Sequence, residues 1–308
     1  MADRRLQAFH AVAKHRSFTK AADALCMTQP AVTFQIRQLE EYYNTRLFDR
    51  GNGRIALTPA GLVALDYAER ILAMSAELDT RLKEMSGQEV GPLLIGASTT
   101  IAEFLLPKIL GEFKSLHPGI VPQLIVANSE AVQARVAERT LDLGFIEGDS
   151  HLPSLVTDVC CEDELQVVCA PSHPFAQRTA VPLQALSEHA FVSRELGSGT
   201  REVIDHYLQK GGLSLDALQV VMEASSPEAL KGLVATGLGF TIMSRAIAEK
   251  EVRLGELVRI ALAPALIRHL SVVYPKERFH SKVVNAFVQF AKQRLAATQP
   301  GDPRRAAD

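Results

Sequence analysis

Ser17-Phe18-Thr19-Lys20-Ala21-Ala22, followed by Thr28-Gln29-Pro30-Ala31-Val32-Thr33 and Gln35-Ile36-Arg37-Gln38-Leu39-Glu40, reads as two short helices joined by a tight turn. Ser17 and Thr28 are hydroxyl residues placed to cap them, and Pro30 falls in the first turn of the second, where a missing N–H costs nothing. Val32, Ile36 and Leu39 give the second helix a buried face, while Gln29, Thr33, Gln35 and Arg37 occupy its other sides. A first helix precedes the pair, with Leu6, Phe9, Val12 and Ala13 on one face. This is the helix-turn-helix arrangement, whose second helix enters a DNA major groove.

Working outward, Leu47-Phe48-Asp49-Arg50 and Arg54-Ile55-Ala56-Leu57 flank Gly51-Asn52-Gly53, a strong hairpin signal. Arg50 and Arg54 stand at its mouth, as a DNA-contacting wing requires. Thr58-Pro59-Ala60-Gly61 then opens a long helix to about Ser86, some ~42 Å at the usual rise. Ala64, Ala68, Ile71, Ser75, Leu78, Leu82 and Met85 recur at spacings of four and three, which predicts a coiled-coil seam and a homodimer. Ser86-Gly87 ends the helix and Gly91-Pro92 marks a domain boundary.

Beyond Gly91 the pattern alternates. Strands are expected at Leu93–Ala97, Val121–Val126, Leu141–Ile146, Glu164–Ala170, Phe191–Ser193, Leu218–Met222, Gly239–Met243 and Leu270–Tyr274. Helices are expected to begin near Ile101, Glu130, Leu183, Arg201, Pro227 and Phe279. Such alternation predicts an α/β domain with mostly parallel sheets.

The charge supports this division. The chain of 308 residues carries 33 Lys plus Arg against 35 Asp plus Glu, a formal −2. That average conceals a head of +4 in residues 1–60 and a body of −6 in the remainder, the asymmetry of a nucleic-acid binder with a separate regulatory part. A composition that is 47% hydrophobic excludes disorder of the whole chain. No apolar run of ~18 residues spans a membrane. Met1-Ala2-Asp3-Arg4-Arg5 leads into no signal-peptide core, so the expected location is the cytoplasm.

The segments quoted above, with Phe9-His10-Ala11-Val12-Ala13 and Leu57-Thr58-Pro59-Ala60-Gly61, resemble the head of the LysR-type transcriptional regulators in order and spacing over about sixty residues. Asn44 departs from the family's usual Gly, and Asn tolerates the left-handed conformation better than most residues. The aromatic pair Tyr42-Tyr43 is also unusual for the family.

The resemblance covers the whole chain. It implies an N-terminal winged helix-turn-helix, all α with a small β wing, then a long linker helix. A C-terminal α/β effector domain follows, like a periplasmic binding protein, with two Rossmann-like subdomains. The boundaries are 1–58 for DNA binding, 59–90 for the linker and 91–298 for the effector domain. Within the last, the first subdomain takes about 91–165 and 268–298 and the second about 166–267; residues 299–308 form an unstructured tail. Gly96-Ala97-Ser98-Thr99-Thr100, Asp142-Leu143-Gly144-Phe145-Ile146-Glu147-Gly148, Glu162-Asp163-Glu164-Leu165 and Arg194-Glu195-Leu196-Gly197-Ser198-Gly199-Thr200-Arg201 are similar to the branch that regulates sulfur assimilation, sulfite response and carbon dioxide fixation.

The expected DNA-binding residues are Thr28, Gln29, Pro30, Thr33, Arg37, Arg50 and Arg54. Gln29 suits a bidentate pair with adenine, Thr33 a thymine or a hydroxyl contact, Arg37 a guanine or phosphate, and Thr28 with the helix start a phosphate. Two heads joined by the linker require a pseudo-palindromic duplex operator. The family commonly pairs dimers into tetramers that bend DNA, which also leaves room for a contact with RNA polymerase.

The expected effector site lies outside the carboxyl ends of the strands. Ser98, Thr99, Thr100, Asn128, Ser129, Gly197, Ser198, Thr200 and Ser226 place hydroxyls and free N–H groups at strand-to-helix junctions, which suits a small anion. Arg201 is placed to pair with that anion or with an acid across the hinge, and Glu147 opposes an anion by its charge. Neither a metal nor a cofactor is implied.

Three other readings compete. A redox-sensing regulator would use Cys160-Cys161, but the acidic run Glu162-Asp163-Glu164 beside them raises a thiol pKa. A free solute-binding protein would lack the basic head. An enzyme would need a G-x-S-x-G, H-E-x-x-H, Walker or dinucleotide motif, and the sequence holds none.

Overall fold

A computed structural model describes residues 3–49, 55–85, 91–276 and 281–296. Arg50, Gly51-Asn52-Gly53, Arg54, the expected helix stop at Ser86-Gly87, the expected helix start near Phe279 and the tail 299–308 lie outside the described residues. The chain divides into two compact units, Met1–Val90 and Gly91–Asp308.

In the first unit, α1 (Arg4–His15), α2 (Phe18–Ala24) and α3 (Gln29–Tyr42) close around Phe9, Val12, Ala21, Val32, Ile36, Leu39 and Phe48. Ser17 Oγ accepts from Lys20 N at 3.3 Å and Thr28 Oγ1 accepts from Ala31 N at 3.4 Å, so both expected caps are made. Asn44 adopts the left-handed conformation at φ 48°, as expected where the helix must stop. Glu40 Oε1 accepts from Leu47 N at 2.8 Å, tying α3 to the start of the wing.

The wing strands β1 (Phe48–Asp49) and β2 (Ala56–Leu57) pair antiparallel. Thr58 Oγ1 then accepts from Gly61 N at 2.9 Å and donates to Arg46 O at 2.7 Å. A Cβ at position 61 would run into the Leu47 carbonyl, so this turn admits only glycine without a shift of the backbone.

The long helix α4 spans Pro59–Met85, 27 residues. The expected seam needs correction at its beginning. Ala68 is fully buried and Ala64 packs beside it in the unit's own core. Of the expected seam Ile71, Leu78 and Leu82 are exposed, and with Val63, Tyr67 and Met74 they recur at spacings of four and three, Leu62 being exposed beside them. Two parallel stripes lie on one helix: small residues pack on the unit's own core and large ones are left for another surface.

In the second unit, one sheet runs through two halves. The first has β3 (Gly91–Ser98) parallel to β4 (Ile120–Ala127) and to β5 (Leu143–Glu147). The second has β8 (Ala190–Arg194) parallel to β9 (Gln219–Ala224) and to β10 (Phe240–Ser244). Between them run β6 (Leu155–Cys169), 15 residues long, and β12 (Leu266–Pro275), which pair antiparallel with each other. Sheet order is β4-β3-β5-β12-β6-β10-β8-β9. Parallel pairing therefore holds within each half, while the connections between halves are antiparallel.

Helices α5 (Thr99–Phe104), α6 (Leu106–Leu116), α7 (Ser129–Ala137) and α11 (Lys282–Ala296) cover the first half. Helices α8 (Gly199–Lys210), α9 (Pro227–Ala235) and α10 (Glu249–Arg253) cover the second. The expected helix near Leu183 is a 3-10 turn over Leu183–Glu188, too short to carry a helical face. β7 (Ala180–Pro182) and β11 (Val258–Ala263) have no counterpart among the expected strands; they pair parallel with each other. Among the described residues no helix is long and apolar enough to cross a membrane.

Candidate functional site

Two sites are built by these elements, one in each unit. On α3, Thr28, Gln29, Pro30 and Arg37 are exposed, while Thr33 is half-buried. Thr33 Oγ1 donates to Gln29 O at 3.0 Å and accepts from Gln29 Nε2 at 3.2 Å. The two polar side chains expected to read bases thus hold each other one turn apart, with the Gln29 Oε1 acceptor and its second N–H left over. Phe34 was not among the expected residues, yet it is 56% exposed on the side opposite Val32, Ile36 and Leu39. Its signal was present in the helical spacing, where an aromatic residue falls off the apolar stripe. Arg50 and Arg54 lie outside the described residues, so the wing contributes only its strands here.

In the second unit, parallel pairing aligns strand ends. Ser98 pairs with Ala127, and Ala97 pairs with Phe145, so Ser98, Asn128 and Glu147 gather at the carboxyl ends of β3, β4 and β5. Glu147 is buried, its Oε2 accepting from Ser129 Oγ at 3.0 Å. On β12, beside the strand of Glu147, lies Arg268, a residue the sequence did not single out. Its Nε donates to Asp163 Oδ2 at 2.8 Å and its Nη1 to Thr200 Oγ1 at 2.7 Å. Nη1 also lies 3.6 Å from Glu147 Oε1. Asp163 in turn accepts from Ser244 Oγ at 2.7 Å.

One buried guanidinium therefore faces two carboxylates and a hydroxyl contributed by both halves. The side chains of Arg268 and Glu147 are 1% and 2% exposed. Such a group is costly to desolvate and holds only where geometry is good. Two buried atoms of this group, Glu147 Oε1 and Arg268 Nη2, have no hydrogen-bond partner, and on nearby strands Ser98 Oγ and Ser271 Oγ are likewise unpartnered among the described residues. Arg268 Nη2 lies 2.7 Å from Asp163 Oδ2 but out of line for a hydrogen bond. Buried polar atoms are normally satisfied, so a cluster of unsatisfied ones needs an explanation.

Other expected anion ligands are occupied. Asn128 Oδ1 accepts from Ala131 N at 2.9 Å, its Nδ2 donates to Leu196 O at 3.3 Å, and Glu130 N donates to Gly197 O at 3.2 Å. The start of α7 thus spends donors on the other half of the unit. Gly197, at φ +83°, sits where a Cβ would lie 2.7 Å from Glu130 Oε2. Ser198 and Ser226 cap α8 and α9, while Thr99 is half-buried and Thr100 buried beside Ser98. Arg201 corrects the expectation of a partner across the hinge. Its Nη1 donates to Glu223 Oε1 at 2.5 Å and to Arg194 O at 3.0 Å, both in its own half, because α8 packs alongside β8 and β9.

Two clefts reach the buried network. One of about 600 Å³ is lined by Thr100, Phe104, Cys161, Asp163, Ser244 and Ile267. Another of about 770 Å³ is lined by Glu147, Gly148, His151, Val203, Tyr207 and Arg268. Both match the volume of small-ligand sites. Cys160 and Cys161 are buried, and burial is the chief cause that pushes their thiols up to about 11 and about 12. The acidic neighbours add to this but do not lead, and a thiol so protonated is a poor redox sensor.

Residues 4–62 match the family described as bacterial regulatory helix-turn-helix protein, lysR family, and residues 86–296 match the LysR substrate binding domain. A probable RuBisCO transcriptional regulator of Cyanidioschyzon merolae is 35% identical over 288 residues, 92% of this chain and 95% of that one. The solved structure of full-length CbnR complexed with its target DNA superposes with a TM-score of 0.72 at 22% identity, covering 96% of this chain and all (100%) of that one. The regulatory domain of CcmR from Synechocystis PCC6803, in complex with 2-PG, has a TM-score of 0.61 at 26% identity over 66% of this chain and 96% of that one.

Proposed function

The chain belongs to the LysR family of transcriptional regulators, and from that premise we propose how its two sites divide the work. The first unit reads a pseudo-palindromic duplex operator through α3, with Gln29, Pro30, Thr33 and Arg37 in the major groove and Arg50 and Arg54 of the wing beside it. Thr28 and the first N–H groups of α3 hold phosphate oxygens. The cleft of the second unit takes a small anionic effector that also carries a hydroxyl or amine donor.

The observation that carries the effector reading is the pair of unsatisfied buried atoms Glu147 Oε1 and Arg268 Nη2, on two residues that line the same cleft of about 770 Å³. An anionic group brings acceptors to Ser98 Oγ, Thr100 and Arg268. A donor on the same molecule meets Glu147 Oε1, whose charge would repel a bare anion. This reading keeps Ser98, Thr99, Thr100, Ser129, Glu147 and Thr200 in the site. Asn128, Gly197, Ser198, Arg201 and Ser226 become the frame that orients it. The CcmR regulatory domain in complex with 2-PG supports a small molecule in a domain of this kind. An effector that binds one arrangement of the two halves better shifts the population toward it, and the DNA geometry follows.

Titration of sulfate, sulfite, thiosulfate, acetylserine, phosphoglycolate and NADPH into the full chain by calorimetry tests the site. Ser98→Ala should weaken whichever ligand binds by roughly tenfold to a hundredfold, the value of one hydrogen bond to a charged group. Heat from none of them removes the anion. At the other site, Gln29→Ala should lower affinity for operator about tenfold and leave binding to random duplex unchanged, as a lost base pairing does. Equal losses on both duplexes in gel-shift titrations would make Gln29 a backbone contact.

Exposed α4 residues supply the dimer seam, and dimers pair into a tetramer that bends the operator and stands next to RNA polymerase. The mass of the protein in solution distinguishes dimer from tetramer.

A further inference from the structure

Phe34 is an exposed aromatic residue in the middle of α3, the helix proposed to enter DNA. Residues Pro30, Phe34, Arg37 and Gln38 follow one another at spacings of four, three and one, on the side of α3 away from the core residues Val32, Ile36 and Leu39. That side is the one α3 presents to a groove when its buried stripe faces the unit. Phe34 is 56% exposed there. Among the described residues neither a ring nor a cation packs on it, whereas exposed Tyr42 has Tyr43 at 5.0 Å and Arg5 at 5.6 Å.

A single exposed apolar side chain is ordinary on a protein surface. This one differs in its neighbours. Pro30 and Phe34 form an apolar strip one helical turn long, edged by the polar ends of Arg37 and Gln38. The more obvious apolar reader, Thr33, is half-buried, and its hydroxyl is bonded to Gln29. In the major groove the one apolar group that projects from a base pair is the thymine C5 methyl, where cytosine carries only a hydrogen and the other base-specific groups are hydrogen-bond donors or acceptors. A phenyl ring has neither donor nor acceptor, so it gains against thymine and loses against any edge whose water it displaces without replacing.

We propose that Phe34 is a specificity-determining residue, which selects operators by packing its ring on a thymine methyl in each half-site. The assignment rests on α3 entering the major groove. It adds that this protein demands a T at one position per half-site and makes no hydrogen bond to it.

The test uses the full-length chain and a duplex that it enriches from a random-sequence pool. Each thymine of the enriched half-sites is then replaced in turn by deoxyuridine, which removes one methyl and leaves every hydrogen bond in place. At one position per half-site, affinity should fall about threefold to fivefold, the value of one buried methyl. Phe34→Ala should bind the thymine and deoxyuridine duplexes alike, and Phe34→Leu should keep part of the preference. An enriched duplex that binds equally well with and without every methyl overturns the assignment, as does a preference retained by Phe34→Ala. A pool that yields no enriched sequence overturns base reading by α3 as a whole, and Phe34 with it.

Discussion

Replacing Arg268 with methionine is expected to cost about 3 to 5 kcal/mol of stability, the usual penalty for removing one partner of a buried charge group. The guanidinium is nearly inaccessible and bonds Asp163 and Thr200, with Glu147 at 3.6 Å. Methionine fills a similar volume but leaves the buried Glu147 carboxylate and the half-buried Asp163 without their cation. For a domain of this size the thermal midpoint should drop by roughly 6 to 20 °C in scanning calorimetry. The triple variant Arg268→Met, Glu147→Gln, Asp163→Asn removes the charges together and should recover most of the loss, because a replaced buried ion pair is often neutral or better. A midpoint unchanged by Arg268→Met would mean that water reaches the cluster in solution. A triple variant as unstable as the single would mean that Arg268 acts by packing.

Changing both Leu78 and Leu82 to glutamate is expected to turn the protein into a monomer and to lower operator affinity by about 10² to 10⁴, the range lost when two tethered binding modules are separated. Both leucines are exposed on α4, so the first unit should fold as before. In a twofold dimer each glutamate meets an apolar or like-charged surface. Sedimentation of the variant should give the monomer mass. A head of only +4 binds DNA weakly, and its remaining affinity should fall steeply with salt. A variant that stays dimeric would move the interface away from this stripe. A monomer with full affinity would show that one head suffices.

Most of the first unit was legible because its signals are local. Ser17 and Thr28 cap the next turn of their own helices, Pro30 starts α3, and Val32, Ile36 and Leu39 announce the buried face. The wing was legible through Leu47-Phe48 and Ala56-Leu57, only eight residues apart. The linker was half legible. Spacing identified an apolar helix, but two stripes share that spacing, and only packing assigned Ala64 and Ala68 to the core and Val63 and Tyr67 to the surface. In the second unit the strand ends with Ser98 and Glu147 could be read from alternation, whereas the partner of Arg201 could not. Nothing near Arg201 in the chain points to Glu223, which stands on a neighbouring strand.

The order of residues alone established a basic helix-turn-helix head, a long helix and an acidic α/β body, since caps, turns and periodicity act over a few residues and survive without the rest of the chain. Arg268 belongs to a different class of fact. Its partner Asp163 lies 105 residues away and meets it only because β6 and β12 pair antiparallel in one register, Arg268 opposite Asp163. A slip of β12 by one residue would turn Arg268 to the face opposite Asp163. The register is held by the sheet as a whole, so the buried charge group appears only when the strands are assembled.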